Sequence, residues 1–446
     1  MLLSRYGLPL LFLITLLGLS KFAEPVMSQP PAATEDEKAK ALERAKRRQV
    51  MATAPDPLKT LTGEVVKTKE DWFGKRRPEI LRLAQQYMYG FAPARPEKVT
   101  ATELFRDGMA LGGKATLREV QLKFGAEQKA GFRLLIATPN KIEGKIPSFV
   151  AVNFCGNHAA IKHPQVAIPE QWIYESCTGD KSNKAAEGDR GRQTDVWCIE
   201  QVVDRGYGLA IFYGGDLDTD NNDMSDGVYS HFYKPGQTKP ESNDWGYIAA
   251  CAWGLSRAAD YLESQSEFDP KRIAVTGHSR HGKAALWAGA TDERFAIVIP
   301  HQSGTGGMAM SRGNDQETVK RINEHFPHWF CDNFVKFGDN EKKLPIDQHC
   351  IVALCAPRPV LDTEGIQDKW ANYDAAMLSL RGADPVYKLL GGKGLASEKP
   401  VEGDEPFTDA NAGELVQYRR DEKHVLNGDY WKRILDFSDR WYGKGK

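Results

Sequence analysis

RIAVTGHSRHGKAALWAGA, residues 272–290, passes from an apolar run into a helical pattern with almost nothing between. Ile273, Ala274 and Val275 read as a buried strand, and the apolar spacing after Gly282 reads as a helix. So short a strand-to-helix turn lifts the hydroxyl of Ser279 above the carboxyl edge of a sheet. It also aims the free N–H groups of the helix start at that point, where negative charge is stabilised. The usual form of such a turn is Gly-x-Ser-x-Gly. Here the second glycine arrives one residue late, at Gly282, so the generic pattern is broken. Two readings stand for Ser279: a nucleophile, or an ordinary helix N-cap serine.

Outward from this stretch the chain alternates strands and helices. IPSFVAVNF (146–154), GYGLAIFYGGD (206–216), FAIVIP (295–300) and PRPVLDTEG (357–365) are continuous apolar runs of the kind found in buried parallel strands. WGYIAACAWGLSRAADYL (245–262) and YWKRILDFSDRWYG (430–443) have helical periodicity. VTATELF, ATLREVQLKF and GFRLLIATP, between 99 and 139, alternate polar and apolar residues and predict an antiparallel start to the sheet. The sum is an α/β architecture: a mostly parallel central sheet with helices on both faces. The loop from Asp216 to Asp226 is rich in carboxylates. It is expected to be solvated, with a Ca²⁺ site as the lesser alternative.

A serine nucleophile needs a base, and in this architecture the chain order is Ser, acid, His. Of ten histidines only His424 follows the last run read as a strand, in a polar loop before the terminal helix. The acid should follow a late strand. After FAIVIP comes His301-Gln302-Ser303-Gly304, without a carboxylate; after PRPVLDTEG come Asp362, Glu364 and Asp368.

Charge and composition bound the rest. Of 446 residues, 59 are Lys or Arg and 60 Asp or Glu, a balance that gives no support for nucleic acid or an anionic membrane as partner. Residues 1–28 read as a secretory signal peptide: Arg5, then an apolar run from Leu8 to Leu19, then small residues. Residues 29–65 read as a polar linker or N-terminal extension, and 66–446 as one catalytic domain. Export permits disulfides. Seven cysteines are present, at 155, 177, 198, 251, 331, 350 and 355; Cys177 and Cys198 flank a polar loop and could pair, or remain free and buried. None of the cysteines has zinc-type Cys-x-x-Cys spacing.

Several blocks together resemble the glucuronoyl esterases, carbohydrate esterase family 15, in their bacterial form. They are MYGFAP (88–93), VNFCGNHA (152–159), DRGYGLAIFYGGD (204–216), VTGHSRHGKAALWAGA (275–290), SGTGG (303–307), INEHFPHWF (322–330), LPIDQHCIVALCAPRPVL (344–361), DKWAN (368–372) and the late His424. The resemblance spans about residues 72–443. It implies a three-layer α/β-hydrolase sandwich and a secreted or periplasmic esterase. Its implied activity is cleavage of the ester between (4-O-methyl-)glucuronic acid of glucuronoxylan and lignin alcohols. By the same resemblance, Ser279 is the nucleophile, His424 the base, and Arg280 a holder of the oxyanion. Lys283, Glu317 and Trp370 then form the sugar-binding set. No cofactor or metal is implied, and a monomer is expected. Many family members carry a Glu where this chain has Gln302; others place the acid two residues before the Trp, where Asp368 stands. Asp368 is therefore the expected acid, with Glu364 in reserve. The competing readings are an esterase for acetyl or feruloyl esters, and a catalytically weak carbohydrate-binding protein with the same fold.

Overall fold

A computed structural model describes residues 35–443; the expected signal peptide, residues 1–28, lies outside the described residues. The chain divides into a unit ending at Ala45, whose described part is the start of the helix Glu35–Thr53, and a unit from Lys46 onward. The second unit holds the whole sheet and its covering helices.

Ten strands form one sheet: β1 (Val99–Met109), β2 (Ala115–Phe124), β3 (Ala130–Pro139), β4 (Ile146–Asn153), β5 (Gly208–Tyr213), β6 (Phe268–His278), β7 (Phe295–His301), β8 (Val360–Gly365), β9 (Val401–Glu402) and β10 (Leu415–Arg420). Their order is β1-β2-β3-β5-β4-β6-β7-β8-β10-β9. The pairs from β1 to β5 are antiparallel, and every pair from β5 onward is parallel.

Both faces are buried, which is why the central strands read as unbroken apolar runs. Val150, Val152, Val275, Val298 and Val360 point to one face, under the helices Tyr247–Ser264, Arg280–Thr291, Gln348–Leu354 and Tyr373–Leu389. Phe149, Ala151, Ala274, Ile297 and Leu361 point to the other, under Ile199–Asp204 and Gly428–Tyr442. Full burial of each such Val, Leu, Ile or Phe stabilises by roughly 1.5–3 kcal/mol relative to exposure. This is the three-layer α/β-hydrolase sandwich.

The parallel strands share a direction, so the segments after β4, β5, β6, β7, β8 and β10 leave the sheet at one edge. Phe154, Asp220, Ser279, Gln302, Asp368 and His424 are carried there in turn. In open α/β sheets this carboxyl edge is where ligands bind.

The structure departs from the sequence reading in three places. From Lys46 on, the expected linker packs against the body: Val50 and Met51 lie on Ala309, Met310 and Leu378, and His349 Nε2 donates to the Pro55 carbonyl at 2.6 Å. Cys177 pairs with Cys155, while Cys198 is a free thiol. The loop after β5 is solvated only in its second half, where Asp223 and Asp226 are exposed. Asp218 and Asp220 are buried, and among the described residues no His, Cys, Asp and Glu group could hold a metal ion.

Candidate active site

Ser279 sits between β6 and the helix Arg280–Thr291 with φ 60° and ψ −127°, a strained backbone for a residue with a side chain. Glycine at both ends of the bend makes it possible. A Cβ on Gly277 would lie 2.2 Å from the His281 carbonyl oxygen, and one on Gly282 would lie 2.8 Å from that of Gly277. The late glycine thus does its packing at 282, because the side chain of His281 turns inward to the Tyr247 hydroxyl, 2.8 Å away. Ser279 occupies the N-cap position, yet its side chain makes no capping hydrogen bond. The hydroxyl is half-exposed and uncommitted, so the plain N-cap reading does not account for it.

His424 lies in the loop after β10. Its Nδ1–H donates to Asp368 Oδ2 at 2.5 Å, which leaves Nε2 as the free acceptor of the ring. The ring lies 4.4 Å, centroid to centroid, from that of His278, the residue just before Ser279. Asp368 is buried. Burial pushes its carboxyl up, but the hydrogen bond and charge of His424 outweigh this and hold it below its ordinary value. Glu364, the reserve acid, is a different case. It is fully buried on β8 with neither carboxylate oxygen hydrogen-bonded, and burial and neighbouring Asp362 push it well above its ordinary value. It is a neutral acid that makes no bond to His424.

Arg280 is held between charge and rings. Its Nη1 donates to Asp220 Oδ2 at 2.7 Å and to the Tyr174 hydroxyl. Its guanidinium carbon lies 4.6 Å from the Trp329 ring centroid, 5.1 Å from Tyr174, 5.3 Å from Phe326 and 5.5 Å from Phe154. Such faces attract the cation and keep water from it. Its Nε is buried with no partner, a charged donor still to be satisfied. Asp220 also accepts from His328 Nε2 and Trp329 Nε1, at 2.9 and 2.8 Å on Oδ1. Burial alone would raise its carboxyl; Arg280, His328 and Tyr174 together bring it down to about 2.

The third cluster joins Lys283, Glu317 and Trp370. Lys283 Nζ donates to the Ser303 and Thr305 carbonyls, both at 2.7 Å, and to Glu317 Oε2 at 2.9 Å. All three of its protons are engaged. Burial lowers its pKa despite Glu317. The other oxygen of Glu317 accepts from Trp370 Nε1 at 3.0 Å. Trp370 is 41% exposed, so this chain of bonds ends on an open aromatic surface.

Six of the residues singled out from the sequence therefore lie at the carboxyl edge in three bonded groups: His424 with Asp368, Arg280 with Asp220, and Lys283 with Glu317 and Trp370. Ser279 stands beside the first two through its neighbours His278 and Arg280. Gln302 bonds His278 and the backbone of Lys423, and makes no bond to His424. Sequence reasoning missed Asp220, Tyr174 and His328. The FPHWF block carried His328 and Trp329 as signals, but not the partner they bind.

A family model described as "Glucuronyl esterase, fungi" matches residues 198–391. "Carbohydrate esterase MZ0003", from an unknown prokaryotic organism, is 42% identical over 389 residues, 87% of this chain and 89% of that protein. The 4-O-methyl-glucuronoyl methylesterase of Schizophyllum commune is 30% identical, over 76% of this chain and 73% of its own. Among solved structures, a promiscuous CE15 esterase from a marine bacterial metagenome superposes with TM-score 0.79 at 41% identity, covering 86% of this chain and 96% of that one. The glucuronoyl esterase from Solibacter usitatus does so with TM-score 0.80 at 36% identity, covering 87% and 98%. The chain belongs to the glucuronoyl esterases of carbohydrate esterase family 15 and is a carboxylic ester hydrolase.

Proposed function

We propose that this esterase cleaves the bond between (4-O-methyl-)glucuronic acid of glucuronoxylan and lignin alcohols through an acyl-enzyme on Ser279. The observation that carries the reading is the strained turn at Ser279 flanked by the His424–Asp368 pair and by the cation of Arg280. His424 Nε2 takes the Ser279 proton as its oxygen attacks the ester carbonyl. Asp368 keeps the ring in the tautomer that leaves Nε2 free, and balances the imidazolium. The Arg280 N–H at the helix start and its orphaned Nε supply donors for the tetrahedral oxyanion. Losing one such donor typically costs about 3 kcal/mol of transition-state stabilisation. The alcohol departs with the proton from His424, and water then releases the uronic acid by the same steps in reverse.

Glu317 and Trp370 bind the hydroxylated ring. Lys283, with its protons engaged, acts first by fixing Glu317, and reaches sugar hydroxyls only by exchanging one of its carbonyl partners. Secretion or export to the periplasm, and action as a monomer without cofactor or metal, complete the reading. The test is release of benzyl alcohol from a benzyl glucuronate ester. Ser279→Ala should abolish it, and turnover retained by that variant removes Ser279 from the mechanism.

A second reading, a broader ester range, is favoured by one observation: the relative matched at 41% identity is described as promiscuous. Comparable kcat/KM on glucuronate, acetyl and feruloyl esters would support it. A strong preference for the glucuronate ester over its galacturonate epimer supports the narrower one.

A further inference from the structure

Residues 301 and 302 stand at the end of β7, where no carboxylate is available, and their bonds converge on the loop of His424. The Gln302 amide donates from Nε2 to the Lys423 carbonyl at 2.9 Å, and more weakly to the Tyr430 hydroxyl at 3.3 Å. The His301 Nε2 lies 2.8 Å from the Val425 carbonyl. A carbonyl only accepts, so that nitrogen carries the proton, and Nδ1 accepts from the Thr363 hydroxyl at 2.8 Å. The two carbonyls on either side of His424 are thus held by two consecutive side chains. The same segment holds the nucleophile turn, since the Ser279 N–H donates to the His301 carbonyl at 2.9 Å.

The amide's orientation is fixed at its other end. His278 is part-buried, and the desolvation of its ring together with its histidine neighbours keeps it neutral. Its Nε2–H donates to Gln302 Oε1 at 3.2 Å. Gln302 must accept on one side and donate on the other, which an amide does and a carboxylate does not. Its backbone is held at φ 46°, and its N–H donates to the Thr363 carbonyl at 2.9 Å.

We infer that Gln302, with His301, is a positioning residue that clamps the His424 loop to the Ser279 turn. In this chain a glutamine serves at this position because the loop needs a donor there, and not a second acid. The inference rests on the proposed roles of Ser279 and His424. A base displaced by an ångström loses about a hundredfold in rate. Loosening one of two clamps should cost part of that, in kcat and not in KM.

The test uses the full-length protein and the benzyl glucuronate assay, with rates normalised to the folded fraction by circular dichroism. Gln302→Met keeps the shape, adds no charge and removes both the donor to Lys423 and the acceptor for His278. It should lower kcat about tenfold at every pH, with KM within about twofold. Gln302→Glu can donate only while protonated. The titratable groups around it are His278 and Tyr430, which it bonds, the His301 and His424 rings beside His278, and Glu364 and Glu422, whose charges act on Tyr430. Its kcat relative to the parent should therefore fall as pH rises from 6 to 9. Parental kcat in Gln302→Met, a loss explained entirely by unfolding, or a rise in KM alone each overturns the clamp. So does Gln302→Glu matching or exceeding the parent at pH 8, as a second acid would. Ser279→Ala separates the two ideas: silent Ser279→Ala with an unaffected Gln302→Met sinks only the clamp, whereas active Ser279→Ala sinks the reading beneath it.

Discussion

Asp368 and Glu364 are four residues apart, yet their surroundings give them opposite charge states. His424 holds Asp368 ionised, whereas burial and Asp362 keep Glu364 protonated. A charged acid can balance an imidazolium, and a neutral one cannot. Asp368→Asn should therefore lower kcat by about 10²- to 10⁴-fold, because the amide favours the wrong tautomer of His424. Glu364→Gln, which replaces a neutral group by a neutral group, should leave kcat nearly unchanged. Steady-state kinetics of the two variants, side by side, check the assignment, and the reverse ranking would transfer the acid role to Glu364. The side chains nearest the chemistry were legible because each stood in a motif of fixed spacing: Arg280 next to Ser279, Lys283 one turn on, Asp368 two before Trp370. Asp220 was not. It binds Arg280 from sixty residues away, and in the sequence it is one of several acids in a loop. Only the fold shows that Tyr174, His328 and Trp329 converge on it.

Among elements, the strands with two apolar faces were legible and β10 was not. Its sequence LVQYRR turns Val416 and Tyr418 to one core but Gln417 and Arg419 to the other face. There they pair in register with Asp362 and Glu364 of β8, and Gln417 Nε2 donates to Asp362 Oδ2 at 2.8 Å. A strand buried through polar partners carries no hydrophobic signal, so the periodicity gave His424 its loop without the strand that delivers it. The segment from Phe154 to Tyr174 escaped in another way. Cysteine count cannot give connectivity, and the pairing of Cys155 with Cys177 appears only when the chain folds. That bond closes the loop that brings Phe154 and Tyr174 against Arg280. Replacing both cysteines by serine should cost about 3 kcal/mol of stability, on the loop-entropy account for a closure of this length. It should also lower kcat, as the guanidinium loses part of its cage. Denaturant unfolding and kinetics on the double variant read the two effects. Unchanged kcat despite lowered stability would confine the disulfide to a structural role.

For the molecule as a whole, the buried titratable groups set how stability follows pH. His158 is fully buried with both ring nitrogens unpartnered, and burial, then Arg190, lowers it to about 4. Burial likewise lowers His301 to about 4, His281 to about 3, and His278 well below its ordinary 6.5. Between 6.5 and those values the unfolded chain binds protons that the folded one refuses. Each such group then removes about 1.4 kcal/mol of stability per pH unit as pH falls. Asp362 acts in the opposite sense: burial raises it, so its contribution is present below its unfolded value and is lost as pH climbs through the raised one. Glu364, raised too, has the same sign. Burial raises Glu119, Asp216 and Asp218 in the same sense, the latter two to about 6. Four imidazoles thus face five carboxyls of opposite sign, so the two sets largely offset each other on acidification from about pH 6.5 to 4.5, and each histidine shows itself only by difference. His158→Gln tests the account at a site with no hydrogen bond to lose. Its Tm should lie below the parent's at pH 7, from the altered packing, and the gap should shrink as pH drops, since one proton-refusing group is gone. Calorimetric Tm values for both proteins across that range decide it. Curves that stay parallel would mean that His158 takes up its proton equally in the folded and unfolded chains, and that its burial carries no pH dependence of stability.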